Sequence, residues 1–289
     1  MDFQNVLQGL SVRCYVDGRY CRPGWIQFHC PFCSGGRDPN KPYAGFNIAF
    51  KYVHCWRCGP HNTTKTIQLL GNITWREARE LTGEIESGRR VEIEHSGQLQ
   101  IPNGIEELQH AHRKYLKQRG FDPDELEQLW RIKGIGIAAR LEWRIWIPIY
   151  FHGKCVSWTT RCLTNEEPRY ISAATQQESI PHKALLYGED FCTNAISIHE
   201  GPFDVWRVGP GAVATLGTQF TPAQLNRMSR YARRIVCFDA EDAAQRRARR
   251  LCDELSVLGD GETFNVILDA KDAAEAPDSN INQLRRMLA

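Results

Sequence analysis

Cys30-x2-Cys33 and Cys55-x2-Cys58, with 21 residues between the pairs, put four thiols where two tight turns can bring them onto one tetrahedral ion. That spacing predicts a small zinc-ribbon β domain holding a single structural Zn2+. The remaining seven of the 11 cysteines are scattered, which argues against a disulfide framework. His29, His54 and His61 stand beside the cluster, yet the four-sulfur set is the simplest ligand sphere. A sphere filled by protein leaves no open position, so the ion is expected to staple the fold rather than to catalyse.

Residues 1–70 are rich in Cys, aromatics and turn residues ("CSGGRDPNKPYAG"), too loop-heavy to fold on apolar burial alone. They carry eight basic residues against three acidic ones, whereas the whole chain has a net charge of only +2. A basic front end suits a phosphate backbone. Within it "FNIAFKYVHCWRC" alternates aromatic and basic side chains, which makes Lys51, Tyr52, Trp56 and Arg57 candidates for touching single-stranded nucleic acid.

The polar stretch "TGEIESGRRVEIEHSGQLQ" has few large apolar residues and reads as a linker. The expected organisation is a zinc-binding domain at 1–81, a linker at 82–104, a mixed α+β subdomain at 105–190 and an α/β domain at 191–289. In the third segment "EELQHAHRKYLKQRG" and "DPDELEQLW" read as helices, and "RIWIPIYFHGKCVSWTTRCL" as an antiparallel hairpin turning at "HGK". In the last, strands ("AISIHE", "AVATLG", "IVCF", "FNVIL") alternate with helices, the pattern of parallel βαβ crossovers. Thr221, Pro222 and Gln224 form the entry signal of one of those helices.

Acids stand at the ends of three of these strands: Glu200 after "AISIH", Asp239 and Glu241 after "IVCF", and Asp272 shortly after "FNVIL". In an open parallel sheet the loops beyond the carboxyl ends of the strands share one crevice. Carboxylates gathered there repel one another unless cations sit among them, and Mg2+ is the natural resident because it takes carboxylate oxygens and retains water and phosphate ligands. Asp242 is read as the cap of the helix that follows. There is no G-x-x-x-x-G-K-[ST] loop, so no fused ATPase motor is expected.

With these residues in view, "HEGPFDV", "AVATLGT" and "VCFDAEDAAQRRA" resemble the TOPRIM domain of bacterial DnaG-type and phage primases. "RIWIPI", "GKCVSWTTR", "PRYISA" and "HKALLYG" resemble, in order, the run that precedes it in that family. The resemblance covers residues 25–276 and implies a TOPRIM-type parallel sheet with an α+β amino-terminal subdomain and a zinc ribbon. It places the family's catalytic and metal-binding acids on Glu200, Asp204, Asp239, Glu241 and Asp272. The basic residues that handle template and nucleotide fall on Arg144, Arg161, Arg169 and Lys183, and the zinc ligands on Cys30, Cys33, Cys55 and Cys58. Departures from the pattern include Glu241 for an Asp, Ala244 for a Gly, "DAA" for the closing D-P-D, which puts Ala274 in place of its last acid, and "GPHNTTK" in the turn after Cys58.

The implied activity is synthesis of short RNA primers on single-stranded DNA from ribonucleoside triphosphates, with Mg2+ or Mn2+ at the acids and the replicative helicase supplied by another chain. A TOPRIM nuclease or nickase, or a catalytically weakened primase-like protein that only binds single strands, are the alternatives. The opening "MDFQNVLQGLSVRC" lacks a signal-peptide pattern and no segment reads as a membrane span, so a cytoplasmic location is expected, the host cytoplasm if the chain is phage- or plasmid-encoded.

Overall fold

The computed structural model describes the chain outside residues 1, 19–20, 34–40, 49–50, 87–96, 139, 165 and 259–260. Its residues divide into two units, 1–92 with 250–261 and 93–249 with 262–289.

The first unit opens with helix Phe3–Gly9 (α1), capped by Asp2, whose Oδ1 accepts the Asn5 amide at 2.8 Å. Strands Cys14–Tyr15 (β1), Trp25–Phe28 (β2), Ala44–Asn47 (β3), Val53–Cys55 (β4) and Gly59–His61 (β5) form an antiparallel meander in which each pairs with the next. Helix Thr63–Gly71 (α2) starts at Asn62, which accepts the Lys65 amide, and Trp75–Glu86 (α3) at a reciprocal Thr74–Glu77 box.

The apolar core here is larger than the loop-rich composition implies. Phe3 stacks on Phe46 at 4.0 Å, and Leu7, Phe28, Val53 and Ile67 are buried in the same cluster. The difference comes from α1, whose apolar positions Phe3, Val6 and Leu7 follow helical spacing over too short a run to stand out in the sequence. Of the expected linker, 82–86 continue α3 and 87–96 lie outside the described residues. Gln100 is already tied down, its amide donating to Gln177 and its carbonyl accepting from the Trp158 indole.

In the second unit, Ile105–Glu106 (β6), Lys133–Ile135 (β7), Arg144–Phe151 (β8), Lys154–Cys162 (β9) and Tyr170–Ser172 (β10) make an antiparallel sheet in the order β10-β9-β8-β7-β6. The hairpin β8–β9 turns at His152–Gly153, both at positive φ, and the Asp190 carboxylate accepts both of their amides. Helices His110–Gln118 (α4) and Pro123–Trp130 (α5) lie between β6 and β7. The helix expected from Glu106 begins only at His110, because Ile105 and Glu106 pair with β7 instead.

Ala195–His199 (β11), Ala212–Ala214 (β12), Arg233–Val236 (β13) and Glu262–Asn265 (β14) form the parallel sheet, in the order β12-β11-β13-β14. Its crossover helices are Pro202–Val208 (α6), Pro222–Met228 (α7) and Asp242–Leu258 (α8), and Asp278–Leu288 (α9) closes the chain. Thr221 and Gln224 cap α7 reciprocally, as their spacing predicts. The order reverses at β11: β12 lies on one side of it and β13 on the other, which opens a crevice at the carboxyl ends of these strands. One cluster of buried apolar side chains joins the two sheets, running from Leu116, Ile145 and Ile147 to Phe203, Ile235 and Leu284. Among the described residues no helix is long and apolar enough to cross a membrane.

Candidate active site and metal centre

Glu200 leaves the carboxyl end of β11 directly into the Gly201-Pro202 turn that starts α6. Asp204, in the first turn of α6, reaches back so that its two oxygens accept the amides of Gly201 at 3.3 Å and Ala274 at 3.1 Å. Asp239 follows β13 by three residues, and Asp272 lies in the loop after β14. These four acids line one cavity of about 420 Å3, together with Arg119, Arg161, Arg169, Tyr170 and Lys271.

Burial raises the Asp204 carboxyl to about 7, with the charges of Asp272 and Asp239 adding to the effect. Asp239 is raised to about 6, first by burial and then by Glu200, Asp272 and Glu241, with Lys271 opposing. Glu200 is also raised by burial, although its Oε1 accepts a hydrogen bond from Arg247 Nη2 at 3.2 Å. The amides of Ala274 and Gly201 favour the ionised form of Asp204, but desolvation and like charge outweigh them. The cavity therefore has a deficit of positive charge that its own basic residues do not fill.

A carboxyl raised in the folded state contributes stability that is present below its unfolded pKa, near 3.8, and lost as pH rises through its folded value, here about 7. In metal-free protein the melting temperature of Asp204→Asn should gain on wild type between pH 4 and pH 8 by about 5 °C, roughly 2 kcal/mol in a unit of this size. The amide substitution also costs one hydrogen bond, but that cost does not vary with pH. Parallel melting curves for the two proteins would remove the charge deficit assigned to Asp204.

The other expected site residues divide. Arg161, on β9, lines the cavity, where its Nε donates to the Tyr115 hydroxyl and its guanidinium lies over the Tyr170 ring at 5.0 Å. Arg161 and Tyr170 are cross-strand partners, so strand register brings them together. Arg169 also lines the cavity and pairs with Glu167 at 3.1 Å. Arg144 does not line it: the residue is buried and its guanidinium donates to the carbonyls of Pro168 and Arg169, fixing the loop that presents Arg169. Lys183 is likewise outside the lining, with Nζ on the Leu216 carbonyl at 2.6 Å, which holds the Leu216–Thr218 loop that does line it. Glu241 is exposed and outside the lining, though its charge is felt by Glu200 and Asp239.

Sequence reasoning missed Arg119 and Lys271. Arg119 ends α4 in a run of cations that reads as a solvated face, and Lys271 adjoins Asp272, which was a signal in the sequence.

In the first unit the four sulfurs of Cys30, Cys33, Cys55 and Cys58 lie within 4.8 Å of one another, with Cys30–Cys58 at 3.6 Å and Cys33–Cys55 at 3.9 Å. A zinc tetrahedron with bonds of about 2.3 Å has edges of about 3.8 Å, so the donor set fits. His61 stacks on Phe32 and sets its Nε2 3.0 Å from Cys58 Sγ. Among the described residues this is the sole group of three or more such ligand atoms drawn so close, so the acids of the second unit share a cavity without being gathered at single-ion spacing. Trp56 is half-buried, edge-on to Trp25 with the Arg22 guanidinium 4.6 Å over its ring, and Arg57 is exposed. Tyr52, also a candidate for stacking, is instead buried, and Lys51 is half-buried in a left-handed turn.

Residues 197–276 match the Toprim-like family, so the parallel sheet and the acids at its edge form a Toprim-like domain. The DNA primase of Thermotoga maritima is 25% identical over 306 aligned residues, covering 86% of this chain and 53% of the relative. That of Synechococcus elongatus is 31% identical over 161 residues, covering 50% of this chain and 23% of the relative. The chain is thus a homologue, at modest identity, of bacterial DNA primases, and it spans about half the length of the Thermotoga protein.

Solved structures agree on the fold. The zinc-binding and RNA polymerase domains of the Aquifex aeolicus primase superpose with a TM-score of 0.55 at 18% identity, covering 100% of this chain and 82% of that one. A DnaG primase catalytic domain bound to single-stranded DNA gives 0.54 at 19% identity, covering 62% and 70%.

Proposed function

We propose that the chain is a template-directed RNA primase that joins ribonucleoside triphosphates on single-stranded DNA. The observation that carries this reading is the meeting of Glu200, Asp204, Asp239 and Asp272 with Arg119, Arg161, Arg169 and Lys271 on one cavity of a Toprim-like domain. Glu200, Asp239 and Asp272 would hold divalent metal, with Glu241 at the rim. Bound Mg2+ or Mn2+ supplies Lewis acidity toward a 3′-hydroxyl and charge neutralisation for the departing pyrophosphate. Asp204, anchored by two backbone amides, fixes the turn between β11 and α6 and adds negative charge beneath the site.

The cations act on the substrate. Arg161, Arg169 and Lys271 neutralise triphosphate and template phosphates, and Arg119 extends the basic wall. Arg144 and Lys183 contribute by positioning the loops at 168–169 and 216–218. Catalysis then rests on placement and electrostatics, with no covalent enzyme intermediate.

In this reading residues 1–81 form a domain stapled by one Zn2+ that offers Lys51, Trp56 and Arg57 to the template. Residues 105–190 and 191–289 make the polymerase core, a separate replicative helicase delivers the strand, and the chain works in the cytoplasm, a host's if it is phage- or plasmid-encoded.

A nuclease reading of the same acids is separated by one assay. Labelled single-stranded DNA with Mg2+ or Mn2+ and all four ribonucleotides should yield short labelled RNA when the label is on the nucleotide, and intact template when it is on the DNA. Cleavage without nucleotides would replace the polymerase by a nickase. Metal-independent binding with no incorporation would mark a primase-like protein that has lost its chemistry, for which Ala274, where the family pattern has an acid, supplies the motive.

A further inference from the structure

The cation that faces Glu200 is Arg247, one of the basic residues early in α8. Its Nη2 lies 3.2 Å from Glu200 Oε1, and neither side chain is well exposed, at 29% for the arginine and 13% for the glutamate. The guanidinium is only partly satisfied: Nε is buried without a hydrogen-bond partner. A desolvated nitrogen with no acceptor is costly, so this side chain stays inside only because the Glu200 charge holds it there. Glu200 is also the acid at the point where the strand order reverses, and it lines the cavity while Arg247 approaches it from outside the lining.

We propose that Arg247 is the resident counterion of Glu200 and competes with divalent metal for it, so that it sets the metal affinity of the site as a positioning residue. This rests on the reading of the acids as a metal site. Two positive charges cannot both be close to one carboxylate at full benefit. A dication entering at Glu200 either displaces the guanidinium or meets its repulsion, and both weaken binding. The balance has a use: with Arg247 in place Glu200 keeps its orientation while metal is scarce, rather than turning away.

The test is Mn2+ binding, followed by electron paramagnetic resonance on the whole chain without nucleotide. Zinc saturates the thiols beforehand, and Glu200→Gln serves as the control for the site. Arg247→Gln and Arg247→Met, which remove the charge while keeping much of the stem, should each bind Mn2+ roughly tenfold tighter than wild type, the scale expected for one unit charge about 6 Å from a dication at a water-like effective dielectric near 80. Both should melt lower than wild type without metal and recover with Mn2+. Arg247→Lys retains the charge and should stay within about twofold of wild type, an outcome a purely structural role would not produce.

Equal or weaker Mn2+ binding in whichever neutral variant folds overturns the role of Arg247 while leaving the metal site intact. Wild-type protein that binds no Mn2+ sensitive to Glu200→Gln overturns the metal reading itself, and the competition with it.

Discussion

Glu200→Gln and Asp239→Asn should each lower ribonucleotide incorporation by at least ~100-fold, the usual scale for losing a group that organises charge at a reacting centre. Both leave volume nearly unchanged, but only Asp239→Asn simply removes a negative charge from a cavity that holds too many and should not lower the melting temperature of metal-free protein. Glu200→Gln also takes away the charge that holds Arg247 and should melt somewhat lower. For Asp239, raised to about 6 by burial and by its acidic neighbours, the neutral variant should melt slightly higher at pH 8. Affinity for single-stranded DNA should change by less than about threefold, because the basic wall from Arg161 to Lys271 is untouched. The decisive measurement is therefore the pair of incorporation and binding on the same samples. Wild-type incorporation in either variant would place the chemistry elsewhere, and loss of binding in step with activity would turn these acids into structural groups.

Removing the metal from the four thiols should have the second largest effect, read as stability. Structural zinc contributes on the order of 10 kcal/mol to small domains that fold around it. Here Phe3, Leu7, Phe28, Phe46, Val53 and Ile67 form an apolar core, with Cys55 in the same cluster, that supplies burial besides the ion, so the loss should be partial. Chelation, or Cys55→Ser, is expected to lower the melting transition of the amino-terminal unit by more than about 10 °C and to free the turns at Cys30–Cys33 and Cys55–Cys58, while the transition of the other unit holds. Template choice should be lost before folding is. Calorimetry with and without chelator checks this, and a Cys55→Ser protein with an unchanged transition would show that the cysteines carry no structural ion.

What the sequence made legible were the features written in short spacings. The two Cys-x-x-Cys pairs, the Thr221–Gln224 box and the "HGK" hairpin each depend on neighbours a few residues apart and are found in the structure as read, and of the acids after β11 and β13 Glu200 and Asp239 line the cavity while Glu241 stands outside it. The features that stayed hidden depend on distance along the chain. Arg144 carries the same charge as Arg161, but its place on β8 turns it toward the carbonyls of Pro168 and Arg169, and no local pattern distinguishes the two. Arg119 and Lys271 come to the cavity from the end of a helix and from a loop, neither of which has a period to read. Arg247 sat in plain view in "QRRARR", where a run of arginines reads as a solvated face until one of them is found against Glu200. Helix α1 was overlooked because seven residues give too little periodicity to register.

The antiparallel and parallel sheets share one apolar interior, with Ile145 and Ile147 of the first in the same cluster as Phe203 and Ile235 of the second. Arg161 and Tyr170 belong to the former sheet, and Glu200 and Asp239 follow strands of the latter, so the distance between them is dictated by how hydrocarbon packs several residues away. Trimming Ile147 to Ala would thus be felt as a change in bite as well as a loss of stability, and a chain of this design gains little freedom to retune its grip on substrate without rebuilding its interior.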